Sequence, residues 1–325
     1  MVEQKQEEIQ AKPQFDMFWR MNRRCNFNCE YCFQQSMDEE RRTEDPECGK
    51  YSAEHIAQRF GETGKVWLIR MTGGEPLLYP GFVELAKALT RGHYISVNTN
   101  LSTPNAYELA DAVETKRIFS INATLHILER EKSKDGMKEY LRKFLYFQER
   151  GFNIWLVYVT YPPLLGRIEK DMERMRGEGV KRINVKMFRG KYKGRRYPRD
   201  YSNDERAFIK GLVLNNYEQQ ILACCVSFVG KKCQAGYRAF HMDISGNVTR
   251  CSTLKDEYGN LFDGTFKPGE SARRCSVREC ACPSQGMNFT ASSGSAVPPK
   301  IAVRAIQHLI IVGEWIGGLT GKVMG

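Results

Sequence analysis

Cys25, Cys29 and Cys32 stand near the start of the chain in a C-x3-C-x2-C spacing. Thiolates spaced this way can wrap one corner of a cubane iron–sulfur cluster. A [4Fe–4S] cluster usually takes a cysteine on every iron, so this set leaves one iron open. An open metal position can chelate a further molecule, as catalytic metal sites do. Zinc is the alternative occupant, but it asks for a closed ligand set, and no His or further Cys lies close by in sequence.

The other chemistry-bearing stretches lie later. From Cys224 to Pro283 the chain holds seven of its 11 cysteines, among short strand-like and turn-like pieces such as Ile244–Val248. That segment is too cysteine-dense and loop-rich to fold on an apolar core alone, and it reads as a small metal-stapled domain. A structural zinc site is its alternative, because cysteines in fours also suit zinc. Cys48 and the Cys224–Cys225 pair read as buried or incidental thiols. Residues 181–199 hold nine Lys or Arg and no acid, with Tyr192, Tyr197 and Pro198 interleaved. The run reads as recognition of a phosphate, a nucleotide or another anion. A solvated basic loop is the plain alternative, and a grip on single-stranded RNA is the weaker one.

The elements that must position these residues alternate. Strands are expected at Phe15–Met21, Val66–Met71, Tyr94–Thr99, Arg117–Asn122, Asn153–Thr160 and Arg182–Phe188. Helices are expected at Ala53–Gly61, Gly81–Arg91, Pro104–Glu114, Gly136–Arg150 and Arg167–Glu178, with Gly61, Gly92, Gly151 and Gly179 near their ends. Such alternation builds βαβ units with right-handed crossovers and a parallel sheet. Ligands then gather at the carboxyl ends of the strands, which puts Asn22–Phe33, Thr72–Pro76, Asn98–Ser102 and Asn122–His126 on one rim. After Phe188 the rhythm breaks into a polar, basic loop at Gly190–Asp200 and a helix at Asp204–Leu222.

Bulk properties set limits. The 325 residues suit one large domain plus a small one. With 42% hydrophobic residues a sizeable core can form. A formal net charge of +11 favours anionic partners. Met1–Pro13 is polar and lacks the apolar core of a signal peptide, so a cytoplasmic, reducing setting is expected, in which cysteines bind metal or catalyse. No apolar run is long enough to span a membrane. Ile301–Met324 contains Arg304, His308, Glu314 and Lys322 and reads as a packed C-terminal helix rather than one lying on a membrane surface.

The cysteine spacing after a first strand, with Tyr31 just before the third cysteine, resembles the radical S-adenosylmethionine (SAM) superfamily. Thr72-Gly73-Gly74-Glu75-Pro76 at the second strand end matches that superfamily's GGEP motif. The resemblance covers residues 15–200 and implies a partial (β/α)6 TIM-like barrel, a SAM-binding [4Fe–4S] cluster on Cys25, Cys29 and Cys32, and S-adenosylmethionine itself. Reductive cleavage of SAM would give a 5'-deoxyadenosyl radical that takes hydrogen from a substrate. Tyr31 would lie near the adenine. Gly73 and Gly74 would let the backbone approach the methionine amino group, with Glu75 and Pro76 fixing the turn. Asn100 resembles the Asn of a strand-end Thr-Asn-Gly, with Leu101 in place of the glycine. Ser120 matches the Ser of a Ser-x-Asp pattern in which Asn122 replaces the acid, and would touch the ribose or carboxylate. Arg130 would pair with the SAM carboxylate.

Cys233, Gly246 and Cys251 are similar to the opening of the SPASM and twitch domains, followed here by Cys275, Cys280 and Cys282. This resemblance implies a second, auxiliary [4Fe–4S] cluster, with Cys233, Cys251 and two of the last three as ligands, accepting or relaying an electron. The expected organisation is a tail at 1–14, the barrel at 15–222, the auxiliary domain at 223–290, and a linker and helix at 291–325. The expected substrate is a small sugar-like or phosphorylated metabolite. A peptide is the alternative, and a zinc-binding basic nucleic-acid module is the alternative from another class. An electron donor such as flavodoxin or ferredoxin is the expected partner.

Overall fold

Six strands alternate with helices from Phe15 to Lys186 in the computed structural model of the chain, which describes residues 13–32, 47–213, 218–219, 222, 227–278 and 280. They are β1 (Phe15–Arg20), β2 (Trp67–Thr72), β3 (Tyr94–Thr99), β4 (Ile118–Thr124), β5 (Ile154–Val159) and β6 (Ile183–Lys186). The helices between them are α1 (Ala53–Glu62), α2 (Phe82–Thr90), α3 (Asn105–Ala112), the short α4 (Ile127–Arg130), α5 (Gly136–Glu149) and α6 (Ile168–Gly177). All six strands pair in parallel and in chain order. With no reversal of order, right-handed crossovers place every helix on one face, and the sheet curls into a partial TIM-like barrel.

Alternation along the strands sorts the two faces. Met17, Trp19, Ile69, Met71, Ile95, Val97, Ile121, Ala123, Leu156 and Tyr158 join Phe60, Leu89, Phe144 and Phe147 in one buried core under the helices. The intervening positions carry Asp16, Arg70, Ser96, Asn98, Ser120, Asn122, Asn184 and Lys186 alongside the apolar Phe18, Leu68, Trp155 and Val157, so the concave face mixes polar and apolar side chains. There Arg70 Nε meets Asp16 Oδ2 at 2.7 Å.

Helix starts follow the expected chemistry. Ser52 caps α1 by accepting the His55 N–H at 3.2 Å. Gly61 falls inside α1 rather than after it; the chain turns into the left-handed region only at Gly64.

The basic stretch differs from the expected loop. β7 (Gly190–Tyr192) and β8 (Arg195–Tyr197) form an antiparallel hairpin turned at Lys193 and Gly194, both at positive φ. Such a turn matches the twist of its two strands. α7 (Asn203–Leu212) begins with a Ser202–Glu205 capping box. It stops earlier than the expected Asp204–Leu222 helix, because Val213 is extended.

The later segment returns to the sheet. β9 (Lys232–Cys233) pairs with β13 (Arg273–Arg274) in a ladder of its own. β10 (Ala239–Met242) lies parallel to the outer side of β1, and β11 (Asn247–Thr249) and β12 (Glu257–Asn260) follow antiparallel. The nine-stranded order is therefore β12-β11-β10-β1-β2-β3-β4-β5-β6. Among the described residues no helix is long and apolar enough to cross a membrane. The expected linker and C-terminal helix, together with Cys224, Cys225 and Cys282, lie outside the described residues.

Candidate functional site

β1 delivers the first cysteine loop onto the end of β2. Met21 N–H donates to Thr72 O at 2.8 Å, which carries the ladder one residue past the strand. Gly74 N–H then donates to Asn22 O and Oδ1, each at 3.1 Å. Asn22 Nδ2 returns a bond to Glu75 O at 2.8 Å, and Glu75 N–H donates to Arg24 O at 2.8 Å. A Cβ on Gly73 would sit 2.3 Å from Asn22 Oδ1, and one on Gly74 2.1 Å from Arg24 O. No side chain fits at either position. The close approach these glycines permit here is that of the cysteine loop itself.

Glu75 is buried, and its carboxylate is fully engaged. It accepts Thr99 O–H at 2.6 Å, Leu77 N–H at 3.0 Å and Asn100 N–H at 2.7 Å. Burial pushes its pKa up, while those donors, with Arg130 as a weaker contributor, pull it down. Pro76 opens the short 3-10 turn that follows.

The ends of β3 and β4 close on the same loop. Asn100 Nδ2 donates to Asn26 Oδ1 at 3.0 Å and lies 4.0 Å from Cys25 Sγ. Leu101 is wholly buried with φ 52, a left-handed conformation. That backbone explains why glycine suits the position. Arg130 is buried, donates to the carbonyls of Asn100 and Leu125, and stacks between the rings of Phe27 at 4.8 Å and Tyr140 at 4.6 Å. Each ring contact is worth about 0.5–2 kcal/mol.

The short turn α4 braces the cysteines directly. Asn28 N–H donates to Glu129 Oε2 at 3.3 Å. His126, just before α4 and itself left-handed at φ 45, brings Nδ1 within 3.2 Å of Cys29 Sγ and 2.9 Å of the Tyr31 hydroxyl. Its ring stacks on Tyr31, which also packs on Tyr161. Burial, then the charge of Arg130, hold the His126 pKa down to about 3. Burial raises the Cys29 pKa, and Glu129, Cys32 and Cys25 raise it further. A thiol whose ionisation is opposed by burial and by its two neighbouring cysteines belongs to a donor set that a cationic iron centre would relieve.

Ser120 stands apart from this group on the concave face. Its Oγ is 2.7 Å from Ser96 Oγ and accepts from Asn122 Nδ2 at 3.3 Å. Nearby on that face Lys186 is half-buried. Burial lowers its pKa, Glu218 opposes this, and Arg70 and Arg189 add to it.

The second cysteine group is gathered by β9, β13 and the turn after β11. Cys233, Cys251 and Cys275 are buried together with Phe228 and Ala235, and Cys280 packs against them with Leu254 and Val277. Backbone N–H groups point at two of the sulfurs: Ala235 to Cys233 at 3.4 Å and Leu254 to Cys251 at 3.1 Å. Burial raises the Cys233 pKa, and the neighbouring Cys275 and Cys251 also raise it. Gly246, at φ +87, sits in the β10–β11 turn, where a Cβ would come 2.4 Å from the Phe262 ring. Among the described residues no His, Cys, Asp and Glu side chains close around a single ion in threes or more.

The structure thus joins Cys25, Cys29, Cys32, Tyr31, Gly73, Gly74, Glu75, Asn100 and Arg130 in one contact network. His126, Glu129, Asn22 and Phe27 belong to it without having been assigned a role from sequence. His126 was already on the expected rim, and its signal was a lone imidazole at a strand end.

Residues 19–178 match the family model of the Radical SAM superfamily. GTP 3',8-cyclase of Haemophilus influenzae is 33% identical over 114 residues, 32% of this chain and 31% of that protein. The probable GTP 3',8-cyclase of Pyrococcus abyssi is 25% identical over 124 residues, 38% of this chain and 39% of that one. The chain therefore covers roughly a third of the length of these curated relatives. Among solved structures, native anSMEcpe with bound AdoMet aligns with a TM-score of 0.54 at 19% identity, over 77% of this chain and 79% of that one. Streptococcus suis SuiB bound to precursor peptide SuiA aligns at 0.53 with 15% identity, over 78% and 65%. These structural likenesses are likenesses of fold.

Proposed function

The chain carries the radical SAM domain at residues 19–178 and is a radical SAM protein; from that premise we propose that it is an enzyme acting on a small phosphorylated metabolite, sugar-like or nucleotide, inside its barrel. The family implies a [4Fe–4S] cluster and SAM, which when bound supply a hydrogen-abstracting radical. Cys25, Cys29 and Cys32 would hold that cluster. Tyr31, Gly73, Gly74, Pro76, Asn100 and Ser120 would line the SAM site. Glu75 and Arg130 would act as its scaffold, since their polar atoms are already taken up by the protein. Cys233, Cys251, Cys275 and Cys280 would hold a second [4Fe–4S] cluster, whose chemistry is electron transfer.

The observation that carries the substrate reading is the charge of the concave face. Lys186 lies within electrostatic reach of Arg70 and Arg189, with Asp16 and Glu218 as the opposing carboxylates. Just beyond β6 the hairpin exposes Lys191, Lys193, Arg195 and Arg196. Cations so placed suit a phosphate ester. The relatives named GTP 3',8-cyclase support a nucleotide within that class. A flavodoxin or ferredoxin would supply the electron, in the reducing cytoplasm.

The test is anaerobic incubation with SAM, a reductant, and panels of nucleotides, sugar phosphates and peptides, following 5'-deoxyadenosine. A rise with a phosphorylated metabolite is expected. A rise with peptides alone would replace this reading by peptide maturation. Colourless protein carrying zinc would replace it by a non-enzymatic module.

A further inference from the structure

We infer that His126 is a positioning residue for the first cluster, donating its Nδ1–H to the Cys29 thiolate and so easing uptake of an electron. The inference rests on Cys29 being a cluster ligand. The geometry is specific: Nδ1 stands 3.2 Å from Cys29 Sγ. The ring is fixed on both sides, stacked on Tyr31 at 5.8 Å and met edge-on by Phe27 at 5.9 Å.

The backbone is also held for the purpose. His126 adopts φ 45 and ψ 52, a region that is costly for any residue with a Cβ. Strain of this kind persists where the surroundings impose it, and it collects at functional sites. Here Glu129 N–H and Arg130 N–H both donate to His126 O, at 2.9 and 3.1 Å.

The direction of the bond follows from the partners. A thiolate bound to iron carries no proton, so it can only accept. A neutral imidazole has one N–H to give, and the nitrogen facing Cys29 is Nδ1. The Tyr31 hydroxyl oxygen, 2.9 Å from the same nitrogen, would then share that single N–H with the thiolate in a three-centre bond. Hydrogen bonds to cluster sulfurs are among the levers that set reduction potential, and partners of the ligands tune metal sites generally. Drawing charge off a thiolate favours the reduced, more negative cluster.

The test uses the anaerobic holoprotein. H126F keeps an aromatic ring against Tyr31 and removes the donor. Its midpoint potential, read on the EPR signal that SAM perturbs, should move to more negative values while iron and sulfide stay at wild-type levels. H126Q, with an amide donor, should return part of the shift. An unchanged midpoint in fully loaded H126F overturns the inference. Should H126F fail to load, wild-type protein labelled with 15N-histidine decides: the reduced first cluster should show a weak 15N coupling and a coupled proton that exchanges in D2O. A cluster signal without that coupling sinks the role of His126 alone. The lack of any [4Fe–4S] signal in wild-type protein would instead sink the ligand assignment beneath it.

Discussion

The Glu75 carboxylate accepts the backbone N–H of Asn100 at 2.7 Å and so ties the turn after β2 to the end of β3. All three groups facing that carboxylate are donors. A glutamine would turn an NH2 toward one of them. E75Q should therefore lose roughly 1–3 kcal/mol and bind SAM more weakly. Calorimetric Tm and SAM titration check this, and wild-type values in both would refute the scaffold role.

The two cysteine groups should separate in iron content. With both clusters loaded, roughly eight irons per chain are expected. C25A, C29A or C32A should abolish 5'-deoxyadenosine formation. C233A, C251A, C275A and C280A should each lose about half the iron yet retain some SAM cleavage. C282A should keep its full iron, because Cys233, Cys251 and Cys275 are buried in one cluster with Cys280 packed against it. Loss of iron in C282A with retention in C280A would reverse the choice.

Leu101 poses a contest between strain and burial. Glycine at φ 52 would relieve backbone strain of about 1 kcal/mol or slightly more. Removing a fully buried leucine costs about 2–5 kcal/mol. L101G should therefore lower Tm despite its better backbone fit, and a raised Tm would show that strain dominates.

Lys186 offers a test of the substrate class that leaves the cysteine loops untouched. Deleting a charged contact to a phosphate costs about 1.5–3 kcal/mol, roughly ten- to hundredfold in KM. K186M should show that rise with a phosphorylated substrate. SAM cleavage without substrate should stay as in wild type.

Stability should fall on mild acidification because of His93. The ring is 6% exposed, and burial, with Arg117 second, lowers its pKa to about 4. The unfolded chain binds this proton below its ordinary value of 6.5, so it takes up more protons than the folded chain between pH 6.5 and about 4. The stability is complete above that window and is lost as pH drops through it, by about 2 kcal/mol at pH 5. The drop in Tm from pH 7 to pH 5 should shrink in H93F, and an equal drop would acquit His93.

The parts that could be read from sequence are local. Cys25-x3-Cys29-x2-Cys32 and Gly73-Gly74-Glu75 are short, and each follows a strand marked by apolar β-formers. The α4 brace could not be read, since four residues are too few for helical periodicity. Its contact from His126 to Cys29 also spans 97 residues. The hairpin at 190–197 was hidden by charge, because Lys193 at a positive φ replaces the Asn, Asp or Gly that would mark such a turn. The packing of Cys280 against Cys233, Cys251 and Cys275 could not be read either, since spacing does not encode it.

One feature of the sheet bears on the order of assembly. β1, which carries the first cysteine loop, gains its outer neighbour only from residues 239–242. On a chain emerging from the ribosome, that side stays a bare row of peptide groups until residues 239–242 have been made, a template for mispairing. Delivery of iron and sulfide to Cys25, Cys29 and Cys32 would then fall late in biogenesis, after the far end of the sheet has closed.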